Sequence, residues 1–539
     1  MRIKRIGVAA VALAAASALT LAGCSSDSPA PSAGGDTGAI ITTNGTEPQN
    51  PLIPTNTNEV GGGKIIDQIF AGLIYYDADG KPINDVAESI ESEDNQHFTI
   101  KIKPDLEFTN GDPVDAASFV DAWNYGAALD NAHLSSYFFE DIEGFSWDEN
   151  VEEMSGLEVV DDTTFTVALK QPTADFALRL GYSAFYPLPA SAWDDIEAFG
   201  QNPIGNGPYM LDGEGAWKHN EKISLVVNPD YDGGRKAANG GLDIIFYASQ
   251  EASYSDLEGG NLDVVDEIPS SAVESYEDTF GERAVNQASA LFQSFTVPDR
   301  LAHFAGEEGK LRRAAISMAI DREEITEVIF GGTRTPASDF TSPIIAGWTD
   351  ELEGEEVLEF NPEEAKKLWA EADAISPWEG SFQIAYNADG DHQDWVDAVS
   401  NQLKNNLGIE ASGVPSPTFK EVRETITNRT IQTAFRSGWQ ADYPGLFNYL
   451  GPLYGTNAGS NDGDYSNPEV DKLLKEGQST SDADEQNAKF QAAQEILLKD
   501  LPAIPLWYQN VNGAWSEQVE NVEYGWNSVP LYFQVTKAE

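Results

Sequence analysis

A strand–helix–strand pattern between residues 381 and 416 constrains the fold more than any other stretch of the chain. "SFQIAYNADG" has the composition of a strand and a turn, and "IEASGVP" has that of a second strand. Between them, "HQDWVDAVSNQLKNNLG" places Trp395, Val399 and Leu403 on one helical face and ends at Gly408. A helix that joins two neighbouring strands in this order makes them parallel. The segment therefore predicts an α/β protein.

Other segments extend this prediction. "LDIIFYAS", a short helix near "YSDLEGG" and "LDVVDEI" form a second unit of the same kind. "HFTIKIKPDLEFTNG" and "DDTTFTVALKQP" alternate like antiparallel strands. Helices are expected at "NPEEAKKLWAEAD", where Asn361 caps and Pro362 follows, and across "LRRAAISMAIDREEITEVIFGG", which ends at two glycines. The predicted class is α/β with added β-rich parts.

The N-terminus is typical of an exported protein. Three basic residues precede the uncharged run "IGVAAVALAAASALTLA", which has the length of a signal peptide. The run leads into "LAGC", which resembles the lipobox of bacterial lipoproteins, and Cys24 is the only cysteine in the chain. We therefore expect a signal peptide at 1–23, acylation of Cys24 and a flexible tether at 24–38; the alternative is a plain secretory signal with an incidental cysteine. A single cysteine excludes disulfides within the chain.

The net charge of the chain argues against two classes of partner. Lys and Arg total 32 against 89 Asp and Glu, a net charge of -57. Nucleic acid and anionic lipid headgroups need clustered positive charge, so neither is an expected partner. After the signal segment, no apolar run reaches the roughly 18 residues that cross a bilayer. We expect a body outside the cytoplasm that is held to the membrane by lipid.

No recognisable catalytic or metal-binding motif occurs in the sequence. The five histidines lack the spacing of a metal site, and no G-x-S-x-G elbow is present. "GGGK" at 61–64 lacks the Ser or Thr of a phosphate loop, and "DADGKPINDVAE" lacks ligands that a calcium loop requires. A binding protein without metal or cofactor is therefore expected, although distant residues can still assemble an active site.

Several blocks in order carry a resemblance to a known family. They are "GTEPQNPLIP", "IIDQIFAGLIYYDADGKPINDVAES", "HFTIKIKPDLEFTNGDPVDAASFVDAWN", "NPIGNGPYML", "ISLVVNPDY", "LRRAAISMAIDREEI", "GWQADYPGLFNYL" and "DLPAIPLWY". From about residue 40 to 539, the chain resembles the extracellular solute-binding proteins of family 5, the oligopeptide- and dipeptide-binding proteins of ABC importers.

The resemblance implies an α/β, two-lobed periplasmic-binding-protein-like fold (type II, cluster C) with an extra β-rich domain inserted in lobe I. Lobe I would comprise 39–70, 187–288 and 509–539, the extra domain 71–186 and lobe II 289–508. The expected partners are a peptide ligand, the membrane subunits of an ABC permease and the membrane through the lipid on Cys24. We expect the protein to be a monomer. The lipid on Cys24 would hold it on the extracytoplasmic face of the cell membrane, at a Gram-positive cell surface.

The resemblance also implies a ligand site around "GWQADY". Asp442 corresponds to the carboxylate that binds the α-ammonium group of a peptide, a group that is costly to bury without a partner. The backbone of Gly438, Trp439 and Gln440 would pair with the ligand main chain like an added strand. Trp439 would line a side-chain pocket or pack in the core. Arg436 would meet the ligand carboxylate or form a structural ion pair.

Across the cleft, the resemblance points to Asn58, Val60 and Tyr137. Enteric oligopeptide binders have an acidic residue near the position of Asn58, so a second contact to the ammonium is not expected from that residue here. Relatives on this scaffold bind nickel chelates, sugars, opines or peptides, and Asp442 and Trp439 favour peptides. The alternatives are a non-peptide solute, a peptide-sensing or adhesion lipoprotein, and an extracellular hydrolase.

Overall fold

The computed structural model of the protein describes residues 38–388, 390, 392–417, 419–480 and 482–538. The predicted signal peptide, Cys24 and all of the predicted tether except Gly38 lie outside the described residues. None of the helices within these ranges has the length and apolar character that a membrane span requires.

The described part of the chain alternates between strands and helices throughout. The strands are β1 Ile40–Gly45, β2 Ile74–Tyr76, β3 Pro82–Asn84, β4 Ala87–Glu91, β5 His97–Ile102, β6 Leu157–Asp161, β7 Thr164–Ala168, β8 Tyr209–Leu211, β9 Trp217–Lys218, β10 Lys222–Val227, β11 Gly241–Phe246, β12 Val264–Val265, β13 Ala284–Thr296, β14 Arg334–Pro336, β15 Ser381–Asn387, β16 Glu410–Ser416, β17 Ala434–Gln440, β18 Ala503–Trp515, β19 Val519–Glu520 and β20 Thr536–Lys537. The α-helices are α1 Val60–Ile69, α2 Ala116–Ala127, α3 Phe176–Arg179, α4 Ile196–Gln201, α5 Gln250–Glu258, α6 Tyr276–Phe280, α7 Gly306–Met318, α8 Arg322–Val328, α9 Pro362–Ile375, α10 Gln393–Leu407, α11 Phe419–Thr427, α12 Leu446–Tyr454, α13 Pro468–Gln478 and α14 Ala483–Asp500.

One large sheet runs through the whole molecule. Its order is β16-β15-β17-β13-β18-β12-β1-β11-β10-β8, with β14 beside β18 and β9 beside β10. The central strands β13 and β18 each have 13 residues and pair antiparallel along most of their length. The sheet therefore has two halves, which are joined by two strands that lie far apart in sequence.

Each half of the sheet has its own hydrophobic core. One core gathers most of its residues from Ile41 to Val264, with a few from the C-terminal segment, and the other gathers most of its residues from Ala290 to Tyr508. Side chains within a core are close-packed, so a boundary between two cores marks where the chain can divide into lobes. The predicted two-lobed α/β architecture is present.

The strand–helix–strand prediction for 381–416 is confirmed. Strand β15 pairs parallel with β16, and α10 connects them. Trp395, Val399 and Leu403 are buried, and Gly408 ends the helix with a φ of 73°, which a glycine adopts without steric cost. In the second unit, β11 and β12 both pair parallel with β1, which lies between them.

The β-rich prediction for the region between residues 71 and 186 also agrees with the structure. Strands β4, β5, β7 and β6 form a separate antiparallel sheet in that order. Its inward side chains, such as Phe98 and Phe165, join the core of the first half. The exact boundaries of the lobes and of the extra domain stay predictions.

The single helix expected across residues 311 to 332 is wrong, because the structure divides this segment into two helices. Helix α7 ends at Met318, and Asp321 then caps α8 by accepting a hydrogen bond from the backbone N–H of Glu324 at 3.0 Å. The apolar periodicity continues across this break, so a search for periodicity does not detect it. The break occurs because Asp321 has an extended backbone and caps a new helix.

Candidate ligand-binding site

A cavity of about 900 Å³ lies between the two halves of the molecule. We call it the main cavity. Its walls come from residues 49–147 on one side and mostly from residues 291–509 on the other. The eight predicted ligand contacts all line it: Asn58, Val60, Tyr137, Arg436, Gly438, Trp439, Gln440 and Asp442. A smaller cavity of about 200 Å³ adjoins it, and Asp442 lines both.

Asp442 is a partly buried carboxylate whose described partners are all neutral. Its Oδ2 accepts a hydrogen bond from Nδ2 of Asn448 at 2.9 Å, and the hydroxyls of Tyr137 and Tyr182 also donate to it. Burial raises the pKa of Asp442 to about 6, against the lowering effect of these hydrogen bonds. A partly buried carboxylate with neutral partners is stabilised by any cation that enters the cavity beside it.

Strand β17 leads to Asp442, and among the described residues its two edges are paired over different lengths. One edge pairs with β13 from Phe435 to Gln440, while the register with β15 on the other edge includes only Ala434 and Phe435. The N–H of Ala441 donates to Ala290 on the β13 side at 3.0 Å. Because alternate residues of a strand direct their N–H and C=O to opposite edges, the main-chain groups of Gly438 and Gln440 point to the edge away from β13.

The side chains of Trp439 and Gln440 support this segment. Trp439 packs partly buried against the core of the second half, and its Nε1 donates to Oδ1 of Asn448 at 2.9 Å. The backbone N–H and C=O of Trp439 are directed towards β13. Of the three predicted main-chain contacts, Gly438 and Gln440 are therefore the two whose backbone groups point towards the cavity side of the strand. Nε2 of Gln440 donates to the carbonyl of Asn527 at 2.7 Å, which links the second half to the C-terminal segment.

Arg436 lies near the N-terminal end of β17, six residues before Asp442. Its guanidinium stacks over the ring of Phe419 at 5.5 Å. Burial, together with the nearby charge of Arg436, lowers the pKa of His392 to about 3, so this imidazole is neutral at physiological pH. The cavity thus has an anionic group at one end of β17 and a cationic group towards the other.

The opposite wall of the main cavity is formed by the start of α1. Asn58 and Val60 are exposed to the cavity, and Glu59 between them caps the helix by accepting from the N–H of Gly62 at 2.9 Å with both carboxylate oxygens. Burial raises the pKa of Glu59. The acidic residue that the sequence lacks at position 58 is therefore present one residue later, although its carboxylate is engaged in a cap.

Sequence reasoning missed several residues that the structure brings to this site. Tyr182 and Asn448 contact Asp442 directly, and Glu59 and Arg423 line the main cavity. Asn448 lies six residues after Asp442 in the quoted block "GWQADYPGLFNYL". Its place in that block is the sequence feature that could have identified it. Tyr182 and Arg423 have no local signal, because only the fold brings them to the cavity.

Two lobes that share one sheet and enclose a cavity define a solute-binding protein of the two-lobed class. The chain belongs to the bacterial extracellular solute-binding proteins, family 5: the family model described as "Bacterial extracellular solute-binding proteins, family 5 Middle" matches residues 81–461.

Relatives with established names cover nearly the whole chain. The oligopeptide-binding protein OppA of Bacillus subtilis is 24% identical over 498 residues, which are 88% of this chain and 88% of the relative. The periplasmic oligopeptide-binding protein OppA of Salmonella typhimurium is 27% identical over 537 residues, 92% and 91% of the two chains. The solved structure of the Escherichia coli murein tripeptide binding protein MppA has a TM-score of 0.81 at 21% identity and covers 93% of this chain and 98% of its own, which confirms the fold.

Proposed function

We propose that the protein captures oligopeptides between its two lobes and delivers them to the permease of an ABC importer, without a catalytic step. The observation that carries this proposal is the partly buried carboxylate of Asp442, whose described partners are neutral, at the end of strand β17, whose two edges are paired over different lengths. The names of the two sequence relatives, both oligopeptide-binding proteins, support it.

The site supplies a partner for each general feature of a peptide. Asp442 binds the α-ammonium group, which loses its hydration when the lobes enclose it. The N–H and C=O groups of Gly438 and Gln440 pair with the ligand main chain, which any sequence offers in the same form. Arg436 stands towards the other end of β17, so the ligand carboxylate lies there, and the peptide runs antiparallel to β17.

The location of the protein is part of the proposal. Cys24 carries the lipid that holds the protein on the outer face of the cell membrane, residues 24–38 form the tether, and the body acts as a monomer. Lobe I comprises 39–70, 187–288 and 509–539, the extra domain 71–186 and lobe II 289–508. Strand β17 belongs to lobe II, and Tyr137 and Tyr182 reach Asp442 from the extra domain.

The test is calorimetry of the purified protein with a mixed pool of short peptides. The pool is prepared in three forms: with both termini free, with the N-terminus acetylated and with the C-terminus amidated. Binding of the free pool and loss of binding on acetylation are expected, because acetylation removes the charge that Asp442 offsets. A protein that binds none of the three pools, or that hydrolyses them, does not have the proposed function.

A further inference from the structure

We infer that Asp175, Arg179 and Tyr443 form an interlobe cluster, which lies outside the ligand cavities and slows the release of peptide by holding the two halves of the molecule together beside Asp442. Tyr443 acts in it as a positioning residue. The inference rests on the proposed function for the identity of the ligand, whereas the contact between the halves can also be tested on the ligand-free protein.

Tyr443 packs in a different core from its neighbours in the chain. Ala441 and Leu446, which lie on either side of it in sequence, are part of the core of the second half. Tyr443 instead belongs to the core of the first half, where it is 2% exposed. Separation of the two halves would therefore bring a buried aromatic side chain into contact with water, which is unfavourable.

The hydroxyl of Tyr443 is bonded to a charged pair in the first half. It donates to Oδ2 of Asp175 at 2.8 Å, and Oδ1 of the same carboxylate accepts from Nη2 of Arg179 at 2.8 Å. Nη1 of Arg179 pairs with Oδ2 of Asp141, also at 2.8 Å. A hydrogen bond to a carboxylate is stronger than one between neutral groups, so this bond opposes separation of the halves.

Arg179 adds a second contact between the halves. Its guanidinium lies over the ring of Tyr443 at 5.7 Å and over the ring of Phe447 at 5.3 Å. Arg179 is 6% exposed, and the attraction of a cation to an aromatic face is stronger where water is excluded. The backbone beside the cluster is joined as well, since the N–H of Ala174 donates to the carbonyl of Gln478 at 2.7 Å. Side-chain and backbone contacts therefore act at the same place.

The interlobe cluster lies beside the ligand site. Asp175, Arg179 and Tyr443 are not among the described residues that line either cavity. Tyr443 nevertheless follows Asp442 directly in the chain, and Tyr182, whose hydroxyl donates to Asp442, packs against the core of the first half. The cluster thus keeps the two walls around Asp442 together without a bond to the ligand. Its effect on release should be the same for every peptide.

The test first measures how fast peptide leaves. Purified wild-type protein and Tyr443→Phe are saturated with the mixed pool of short peptides and then diluted, and the peptides retained over time are identified by mass spectrometry. Tyr443→Phe keeps the buried ring and removes only the hydroxyl. It should release every peptide about ten- to a hundredfold faster, whatever its sequence, length or end groups, since a hydrogen bond to a charged group has this worth.

Hydrogen exchange then reports the contact directly. The N–H of Ala174 is bonded across the two halves, so deuterium uptake by the segment around it follows their separation. In the peptide-saturated protein, uptake by this segment should be faster in Tyr443→Phe than in the wild type, by a factor similar to that for release. A role of Tyr443 confined to the stability of one core would not change the two rates together.

Tyr231→Phe is the matched control. The hydroxyl of Tyr231 donates to Oδ1 of Asp85 at 2.8 Å, and Tyr231 packs against the core of the first half. This variant removes a tyrosine–aspartate hydrogen bond of the same length within one half, so it should change neither release nor uptake around Ala174.

Phe447→Leu offers a second variant of the cluster. It removes one ring from Arg179 and leaves the hydrogen bond of Tyr443 in place, so it should speed release by about three- to tenfold. It therefore tests the cluster if Tyr443→Phe does not fold. Release as slow as in the wild type would then overturn the inference.

The outcomes separate this inference from the proposed function. Equal release rates in wild type and Tyr443→Phe, faster release that is confined to some peptides, or an equal effect of Tyr231→Phe overturns the role of the cluster. Wild-type protein that retains no peptide overturns the proposed function. Uptake around Ala174 is then compared in the ligand-free proteins: faster uptake in Tyr443→Phe supports the contact between the halves, and equal uptake overturns it.

Discussion

Asn448 and Asp442 are joined by two hydrogen bonds of 2.9 Å, one between their side chains and one from the backbone N–H of Asp442 to Oδ1 of Asn448. The same Oδ1 accepts from Nε1 of Trp439 at 2.9 Å. Asn448 is itself buried, with 1% of its surface exposed. One neutral amide therefore sets the direction of the carboxylate and connects it to the tryptophan of strand β17.

Replacing Asn448 with Ala should weaken both the fold and the site. It leaves two donors, the N–H of Asp442 and Nε1 of Trp439, without their acceptor, at a cost of about 1 to 3 kcal/mol each when they are buried. We expect a lower free energy of unfolding in urea and a peptide affinity that is about tenfold weaker by calorimetry.

Asn406→Ala is the control for that variant. Asn406 donates to the carbonyl of Ala319 at 2.8 Å and is not among the residues that line the main cavity. It should lower stability without changing peptide affinity. Unaltered affinity in Asn448→Ala would show that the orientation of Asp442 does not depend on Asn448.

Asp442→Asn should remove most peptide binding. Losing one partner of a buried charge pair costs about 3 to 5 kcal/mol, which corresponds to a fall in affinity of hundreds-fold or more. N-acetylated peptides should bind the wild-type protein poorly for the same reason, and the two losses should not add. At neutral pH the ligand-free variant should unfold at a somewhat higher temperature than the wild type, because Asn preserves the shape and the acceptor oxygen without burying a charge. A variant that binds free and acetylated peptides as the wild type does would refute the ammonium role.

Peptide affinity should fall as the pH is lowered through about 6. The pKa of Asp442 is raised to about 6, and only the ionised carboxylate pairs with the ammonium group. At about pH 5 roughly one tenth of the carboxylate is ionised, so the apparent affinity should be about tenfold lower than at neutral pH. Calorimetry at both pH values measures this, and Asp442→Asn should show no such change. A wild-type affinity that stays constant down to about pH 4 would indicate an ordinary, exposed carboxylate.

The same raised pKa should make the ligand-free fold less stable as the pH rises, whereas peptide affinity increases with pH. A carboxyl whose folded pKa exceeds its unfolded value of 3.8 binds protons more readily when folded. Its contribution to stability is therefore complete below about pH 4 and is lost as the pH rises through about 6. The difference in unfolding free energy between wild type and Asp442→Asn, measured in urea at several pH values, should follow this direction. A difference that does not vary with pH would contradict it.

Cys24→Ala should release the protein from the membrane or leave it unprocessed. In the proposed anchor the acyl chains on the cysteine provide the attachment, since a tether of small and polar residues has no affinity for lipid. Cell fractionation and labelling with a palmitate analogue measure the effect, with Ser25→Ala as a control that keeps the cysteine. Equal membrane retention and labelling in Cys24→Ala would exclude the lipid anchor.

Elements with local signals could be predicted from the amino-acid sequence alone. The β15–α10–β16 unit, the cap at Asn361 and the alternating strands β5 and β7 all follow from periodicity and capping within a few neighbouring residues. The ordered blocks also predicted a ligand site around Asp442 and its neighbours. Even so, the break at Asp321 escaped detection, because a helix cap inside a continuous apolar pattern changes the backbone without changing the period.

The assembly of the site, by contrast, depends on the tertiary structure. The chain passes between the two halves along β13 and β18, and this crossing brings the hydroxyl of Tyr182 to the carboxylate of Asp442, which is distant in sequence. It also sets the register that pairs β17 with β13 from Phe435 to Gln440, whereas among the described residues β15 pairs with β17 at Ala434 and Phe435. A helix or a strand arises from interactions between near neighbours, whereas a cavity arises from how separate elements pack, and no local pattern in the sequence encodes that packing.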